Sequence, residues 1–202
     1  IFDSHSYAFA LLADIEAQHG ILAFNTPVQS IKRVQSVFRV FNAKGESITA
    51  PRLINAAGVW AERTARLVEG LNAQFIPKMR YVKGHYASLQ GVKPPFQHLI
   101  YPLPDENGLG IHVTLDMAGQ CRFGPDAQAP YNHFDYSFEH EELGHFYDAI
   151  RRYWPGLPDG HLTPSMTGIR PQIETASSSD FKISGPTEHG VQGLVNLFAI
   201  ES

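Results

Sequence analysis

The sequence predicts a mixed α+β fold with a predominantly antiparallel, sheet-rich middle. Three observations predict it. A strand–turn–helix run, "RLINAAGVWAERTARLVEG" (52–70), occupies the first third. From about Met79, strand candidates follow one another with proline and glycine between them and no helix; successive strands without crossover helices pair antiparallel. The last third returns to short strands and loops. A sheet-rich insert inside a nucleotide-binding domain gives this pattern, and so does an ordinary α+β domain. Spacing leaves both open.

Each element has a local reason. Asp3 or Ser4 caps a helix from about His5 to His19, in which Ala8, Leu11, Leu12 and Ile15 recur at helical spacing and Gly20 ends it. "ILAFNTPVQSIKRV" alternates like a strand, and "VFRVFNAKGESITA" like a hairpin turning at Lys44-Gly45. Leu53 and Ile54 make a short strand that breaks at Ala56-Ala57-Gly58 into a helix from about Trp60. "RYVKGHYASL", "HLIYPLP", "LGIHVTLD" and "QCRFG" are strand candidates in series. A helix spans about Phe138 to Tyr153, with Leu143, Phe146, Tyr147 and Ile150 on one face, and "WPGLPDG" breaks it. "SMTGIRPQI", "FKISG" and "GLVNLFAI" read as strands, and "TASSSD" as a surface loop. Ile1 is no initiator methionine and "AIES" ends without a polar tail, so the reading expects an internal piece of a longer chain.

Composition excludes several classes. Hydrophobic residues make up 43% and charged ones 18% of the 202 residues, enough to bury a core. A net charge of -4, with basic residues scattered, argues against nucleic-acid or anionic-membrane binding. No apolar run is long enough for a transmembrane segment, and no signal peptide is visible. The lone Cys121 cannot form an internal disulfide and sits in a strand-like stretch, which makes it a poor nucleophile. A reducing, cytoplasmic setting is compatible with this.

The histidine-rich run "HFDYSFEHEELGH" invites a metal reading through His133, Asp135, His140, Glu141, Glu142 and His145. A zinc helix needs histidines four apart on one face, whereas His140 and His145 are five apart, so no metal is expected. No G-x-S-x-G elbow and no P-loop is present. "TGIRPQI" places Arg170 between an apolar residue and a proline in a stretch that reads as buried or half-buried. A guanidinium there needs a partner, either an internal carboxylate or that of a ligand. His85 and His112 lie on strand candidates, with Arg80, Tyr86 and Tyr101 nearby in sequence. A strand histidine either takes a hydroxyl proton near neutral pH or is hydrogen-bonded structure.

These stretches, in order, carry a resemblance: "DSHSYAFALLADIEAQHG", "LINAAGVWA", "YVKGHYASL", "LIYPLPDENGLGIHVTLD", "RFGPD", "FYDAIRRYWPGLPDG", "TGIRPQI" and "GLVNLFAIES". The chain resembles FAD-dependent oxidoreductases of the D-amino-acid oxidase superfamily, most like the L-2-hydroxyglutarate dehydrogenase/oxidase branch. The resemblance implies an antiparallel-sheet substrate domain joined to part of a Rossmann-like FAD-binding domain. Residues 1–77 then belong to the FAD-binding domain, 78–165 to the substrate domain, and 166–202 return to the first.

It implies oxidation of a small 2-hydroxy acid by hydride transfer to FAD, with amine or amino-acid oxidation as the alternative. By motif, Arg170 is the substrate-carboxylate clamp. Val28 meets the adenine, and Ala56, Ala57, Gly58 and Trp60 line the ribose and pyrophosphate. His112, ahead of His85, accepts the hydroxyl proton, and Tyr101 and Tyr86 contact substrate. The family's GxGxxG segment, which cradles the pyrophosphate at a helix end, has no counterpart in these residues, so the chain alone is expected to hold FAD weakly or not at all and to be inactive. A reading from another class is a non-catalytic carboxylate-binding or interaction domain associating through apolar faces bared by truncation.

Overall fold

The computed structural model describes residues 3–103, 110–131, 134–174 and 181–200. Residues 1–2, 104–109, 132–133, 175–180 and 201–202 lie outside them, which takes in His133, Pro104 of "HLIYPLP", Leu109 of "LGIHVTLD" and the "TASSSD" stretch expected to be a surface loop. The chain divides into two compact units, one made of residues 1–22, 83–129 and 133–169, the other of 23–82, 130–132 and 170–202. The boundaries near 82 and 169 fall four or five residues after those read from sequence, and the first 22 residues group with the sheet-rich unit. Two long strands, β5 (Met79–Leu89) and β9 (Leu162–Ile173), run across the boundaries.

The first unit begins with α1 (Ser4–Ala17), whose Asp3 side chain accepts from the His5 and Ser6 amides at 3.0 and 3.1 Å. This satisfies two of the amides a helix start leaves orphaned. No α1 residue is buried. The sheet of this unit runs β6 (His112–Leu115), β7 (Cys121–Gly124), β5, β8 (Gln128–Tyr131), with β9 also on β5. The β6–β7 and β7–β5 pairs are antiparallel, as the helix-free spacing predicts. Among the described residues, the "HLIYPLP" candidate is no strand but contributes a bridge from Ile100 to Val113.

One face of this sheet is covered by α3 (Gly144–Arg151). The helix expected over 138–153 is shorter. It is preceded by a 3-10 turn over 140–143, entered through a reciprocal bond pair between Glu139 and Glu142. At its other end Pro155 disfavours helical backbone at Trp154. Phe146 and Ile150, one turn apart, are fully buried with Phe123, Val113 and Ala87 from the strands. Phe146, Ile150, Phe123 and Val113 each contribute roughly 1.5–3 kcal/mol on burial.

The second unit holds two small sheets. β1 (Val28–Val34), β2 (Val37–Asn42) and β3 (Ser47–Ala50) form an antiparallel meander, with the hairpin turn at Lys44-Gly45 as the sequence indicates. Residues 21–27, read as the start of a strand, are not one, because Pro27 lacks an amide donor and Asn25 turns with φ 52°. β4 (Leu53–Asn55) leads through a 3-10 turn over 58–60 into the short helix α2 (Ala61–Arg66).

β10 (Lys182–Ser184), a turn of helix α4 (Pro186–His189) and β11 (Leu194–Phe198) bring the chain back beside β4. β11 runs parallel to β4, with Leu194, Val195 and Asn196 opposite Leu53, Ile54 and Asn55. One face of this sheet is packed by Ala61, Ala65, Ile76 and Phe198. The other presents Ile54 and Ile183, 66% and 65% exposed. Among the described residues no helix is long and apolar enough to cross a membrane.

Candidate functional site

The two faces of the large sheet sort the candidate residues. His112 pairs with Gly124, and Val113 with Phe123. Ala87 also pairs with Phe123, so the same register sets Tyr86 opposite Gly124. On the other side the Ile100–Val113 bridge sets Tyr101 opposite His112. Since side chains alternate across a strand, Val113, Phe123 and Ala87 enter the helix-covered core, and the row Tyr101, His112, Gly124, Tyr86 lies on the opposite face.

Gly124 makes this row possible. A Cβ there would stand 2.5 Å from the His85 carbonyl oxygen and 2.9 Å from Cδ1 of Tyr86, so the Tyr86 ring lies over a strand position without a side chain. On the far side Tyr101 stacks on His112, ring centroids 4.4 Å apart and 16° from parallel. Three of the sequence-predicted residues are thereby gathered on one surface.

His112 is nearly buried, and burial pushes its pKa below the ordinary imidazole value, against the opposing pull of the Gly110 carbonyl. Nδ1 lies 3.3 Å from that carbonyl oxygen, which can only accept. Nδ1 therefore carries the proton, and Nε2 of the neutral ring is an acceptor.

His85 is placed differently. It is fully buried on the helix-covered face, stacked on Phe138 with centroids 4.4 Å apart. Its ring Nδ1 donates to the Asp126 carboxylate at 3.1 Å and its amide donates to Asp126 Oδ1 at 2.6 Å. His145 on α3 adds a third donor, Nε2 at 3.0 Å from Oδ2. His85 Nε2 is buried and has no hydrogen-bond partner among the described residues. The structure does not bring His85 to the face that holds His112. Lys83, two residues earlier on the same strand face, is also buried and lies 3.4 Å from Asp135.

Among the described residues no three His, Cys, Asp or Glu side chains gather as a metal ion requires. Cys121 is buried in β7, and burial pushes its thiol up to about 12, which removes it as a nucleophile at neutral pH.

Arg170 corrects the expectation of a buried guanidinium. It lies in β9 between the buried Ile169 and Pro171, and strand alternation turns it to the exposed side.

The loop after β4 is held by one buried amide. Asn55 Nδ2 donates to the Ala61 carbonyl at 2.9 Å and to Asn196 Oδ1 at 3.0 Å, while its Oδ1 accepts from the Ala57 amide at 3.3 Å. Gly58 turns with φ +55°, and no atom of the described residues lies within 4 Å of a would-be Cβ. Trp60 and Val28 are 43% and 41% exposed. Sequence reading gave no role to Asn55, Gly124 or Asp126. The Gly-Pro-Asp at the end of a strand marks a turn, but its partners come from β5 and α3.

A family model described as FAD dependent oxidoreductase matches residues 1–202. The mitochondrial L-2-hydroxyglutarate dehydrogenase of Arabidopsis thaliana is 44% identical over 162 residues, 74% of this chain and 34% of that protein. The glycerol 3-phosphate dehydrogenase of Caloramator mitchellensis is 24% identical over 95% of this chain and 38% of that protein. The chain thus spans about a third of the curated relatives it matches. Among solved structures, FAD-bound L-alpha-glycerophosphate oxidase from Mycoplasma pneumoniae superposes with a TM-score of 0.81 at 19% identity, covering 95% of this chain and 49% of the other. That likeness is one of fold.

Proposed function

The chain belongs to the FAD dependent oxidoreductase family, and on that premise we propose that it serves in the oxidation of a small 2-hydroxy acid of the L-2-hydroxyglutarate kind. The observation that carries the reading is the neutral His112, held between Tyr101 and the Gly124 position with Nε2 as an acceptor. The identity to an L-2-hydroxyglutarate dehydrogenase supports the substrate class.

The residues present fit one wall of a dinucleotide site. The Ala56–Trp60 loop is fixed from behind by Asn55 and open at Gly58, so ribose or phosphate can approach its backbone without meeting a side chain. Ala56, Ala57, Gly58, Trp60 and Val28 are the residues that would line FAD. The phosphate-cradling GxGxxG is not among these 202 residues, and the chain by itself is accordingly weak in FAD binding. A purified 202-residue chain carrying stoichiometric yellow flavin would refute that point.

When bound, FAD supplies the two-electron acceptor that takes hydride from the substrate carbon. His112 Nε2 accepts the hydroxyl proton as that bond breaks. Tyr86 and Tyr101 bound the surface beside it. Arg170 is proposed to hold a substrate carboxylate through its planar fork.

The test is steady-state kinetics on L-2-hydroxyglutarate, glycerol 3-phosphate and glycine, run on a longer polypeptide that joins these residues to a GxGxxG segment and carries FAD, the FAD-loaded protein. Arg170→Ala is expected to lower kcat/KM for the hydroxy acid by about 10²-fold, the loss of a charge-assisted pair. His112→Gln is expected to lower kcat by roughly 10²–10⁴-fold. Turnover of the amine alone, or full activity in both variants, would sink the reading.

A further inference from the structure

We propose that Asp126 is a positioning residue for the His112 surface, acting through the strands from the opposite, helix-covered face of the sheet; this rests on the reading of His112 as proton acceptor. β7 ends at Gly124, directly across from His112. Two residues later the ladder is replaced by a mutual clamp. The His85 amide donates to Asp126 Oδ1 at 2.6 Å, and the Asp126 amide donates to the His85 carbonyl at 3.3 Å. The same carboxylate, its side chain 8% exposed, takes the His85 ring at 3.1 Å and the His145 ring at 3.0 Å. One group thereby ties β5, the exit of β7 and α3 together.

The consequence is felt on the other face. His85 and Tyr86 are consecutive in β5, so gripping the His85 main chain also fixes the root of Tyr86. Asp126 and Gly124 are two apart, so the same grip sets how close Gly124 lies to β5. That approach leaves no slack, because a Cβ on Gly124 would come within 2.5 Å of the His85 carbonyl oxygen. Tyr86, Gly124 and His112 share one cross-strand row, and a shift of the β7 exit moves all three relative to one another. The carboxylate suits the task because an ionised acid accepts from several donors at once, and such bonds are the stronger kind. An amide in its place keeps one acceptor oxygen and turns a donor nitrogen toward one of the imidazoles.

The experiment is Asp126→Asn, read in two ways. In the FAD-loaded protein kcat falls about 10²-fold, as for a misplacement of reacting groups by about an ångström, while KM changes by less than about threefold. In the 202-residue chain, the NMR titration midpoint of His112 rises toward the ordinary imidazole value as its surroundings loosen, with far-UV CD and the protection of Cys121 from thiol reagents retained as controls for folding. A folded variant in which neither kcat nor the His112 midpoint moves overturns the proposal. If the Asn variant does not fold, His145→Leu decides. It removes only the half-exposed donor, and the His112 midpoint should move in the same direction by a smaller amount; an unmoved midpoint overturns the proposal. A wild-type FAD-loaded protein without turnover on any 2-hydroxy acid would remove the flavoenzyme reading instead, and the titration arm on the 202-residue chain, which needs no turnover, would still decide the role of Asp126.

Discussion

Asn55→Ala should unlatch the loop between β4 and α2 at a large and calculable cost. Three hydrogen bonds disappear. Asn196 Oδ1, 1% exposed as a residue, loses the donor held at 3.0 Å. A buried acceptor left without a donor costs about 1–3 kcal/mol. The Ala61 carbonyl and the Ala57 amide lose bonds of 2.9 and 3.3 Å, each a net contribution of about 1 kcal/mol. The sum is about 3–5 kcal/mol, a sizeable share of the ~5–15 kcal/mol that separates a folded domain from its unfolded chain.

The two tryptophans give a clean assay. Trp60 lies in the affected loop and Trp154 in the other compact unit, so urea unfolding of a Trp154→Phe background reports on Trp60 alone. Asn55→Ala should lower the Trp60 transition by that amount relative to the background. Asn55→Asp should do at least as badly, since it sets a carboxylate against the Asn196 oxygen. A loss under about 1 kcal/mol for both would refute the argument that this amide is the latch.

The remaining predictions are shorter. Because burial lowers the His112 pKa, the acid limb of kcat/KM should have its midpoint below the ordinary imidazole value of about 6.5; a limb at or above it would count against His112 as the base. The same shift has a stability consequence. Between the folded and unfolded pKa values the unfolded chain binds the extra proton, so this group's contribution is intact above about pH 6.5 and lost as pH falls through the lower folded pKa, which urea midpoints across that range would show. Phe146→Ala empties a fully buried site between α3 and the sheet and should cost about 3–5 kcal/mol, read from Trp154 fluorescence in a Trp60→Phe background.

What the sequence by itself determined is local. The Asp3 cap, the Lys44-Gly45 hairpin, the helix-free run of strands and the apolar face of α3 each rest on residues within a few positions of one another, where propensity and periodicity act directly. The ordered motifs also sufficed to assign the family that the comparison with known proteins shows.

The tertiary structure decided everything that depends on which residues stand opposite which. His85 and His112 look alike in sequence, one histidine on each of two strands. A strand's two faces differ by a single residue of register, and no local signal relates the parity of β5 to that of β6. Only the pairing through Phe123 sets His112 with Tyr86 and leaves His85 against α3, and only the Ile100–Val113 bridge adds Tyr101 to that row. Long-range pairing likewise joined Asn55 to Asn196 across 141 positions, and strand alternation put Arg170 on the exposed side of β9. Chemistry-bearing residue types are written in the sequence; their neighbours are fixed by sheet register, which the packed chain alone selects.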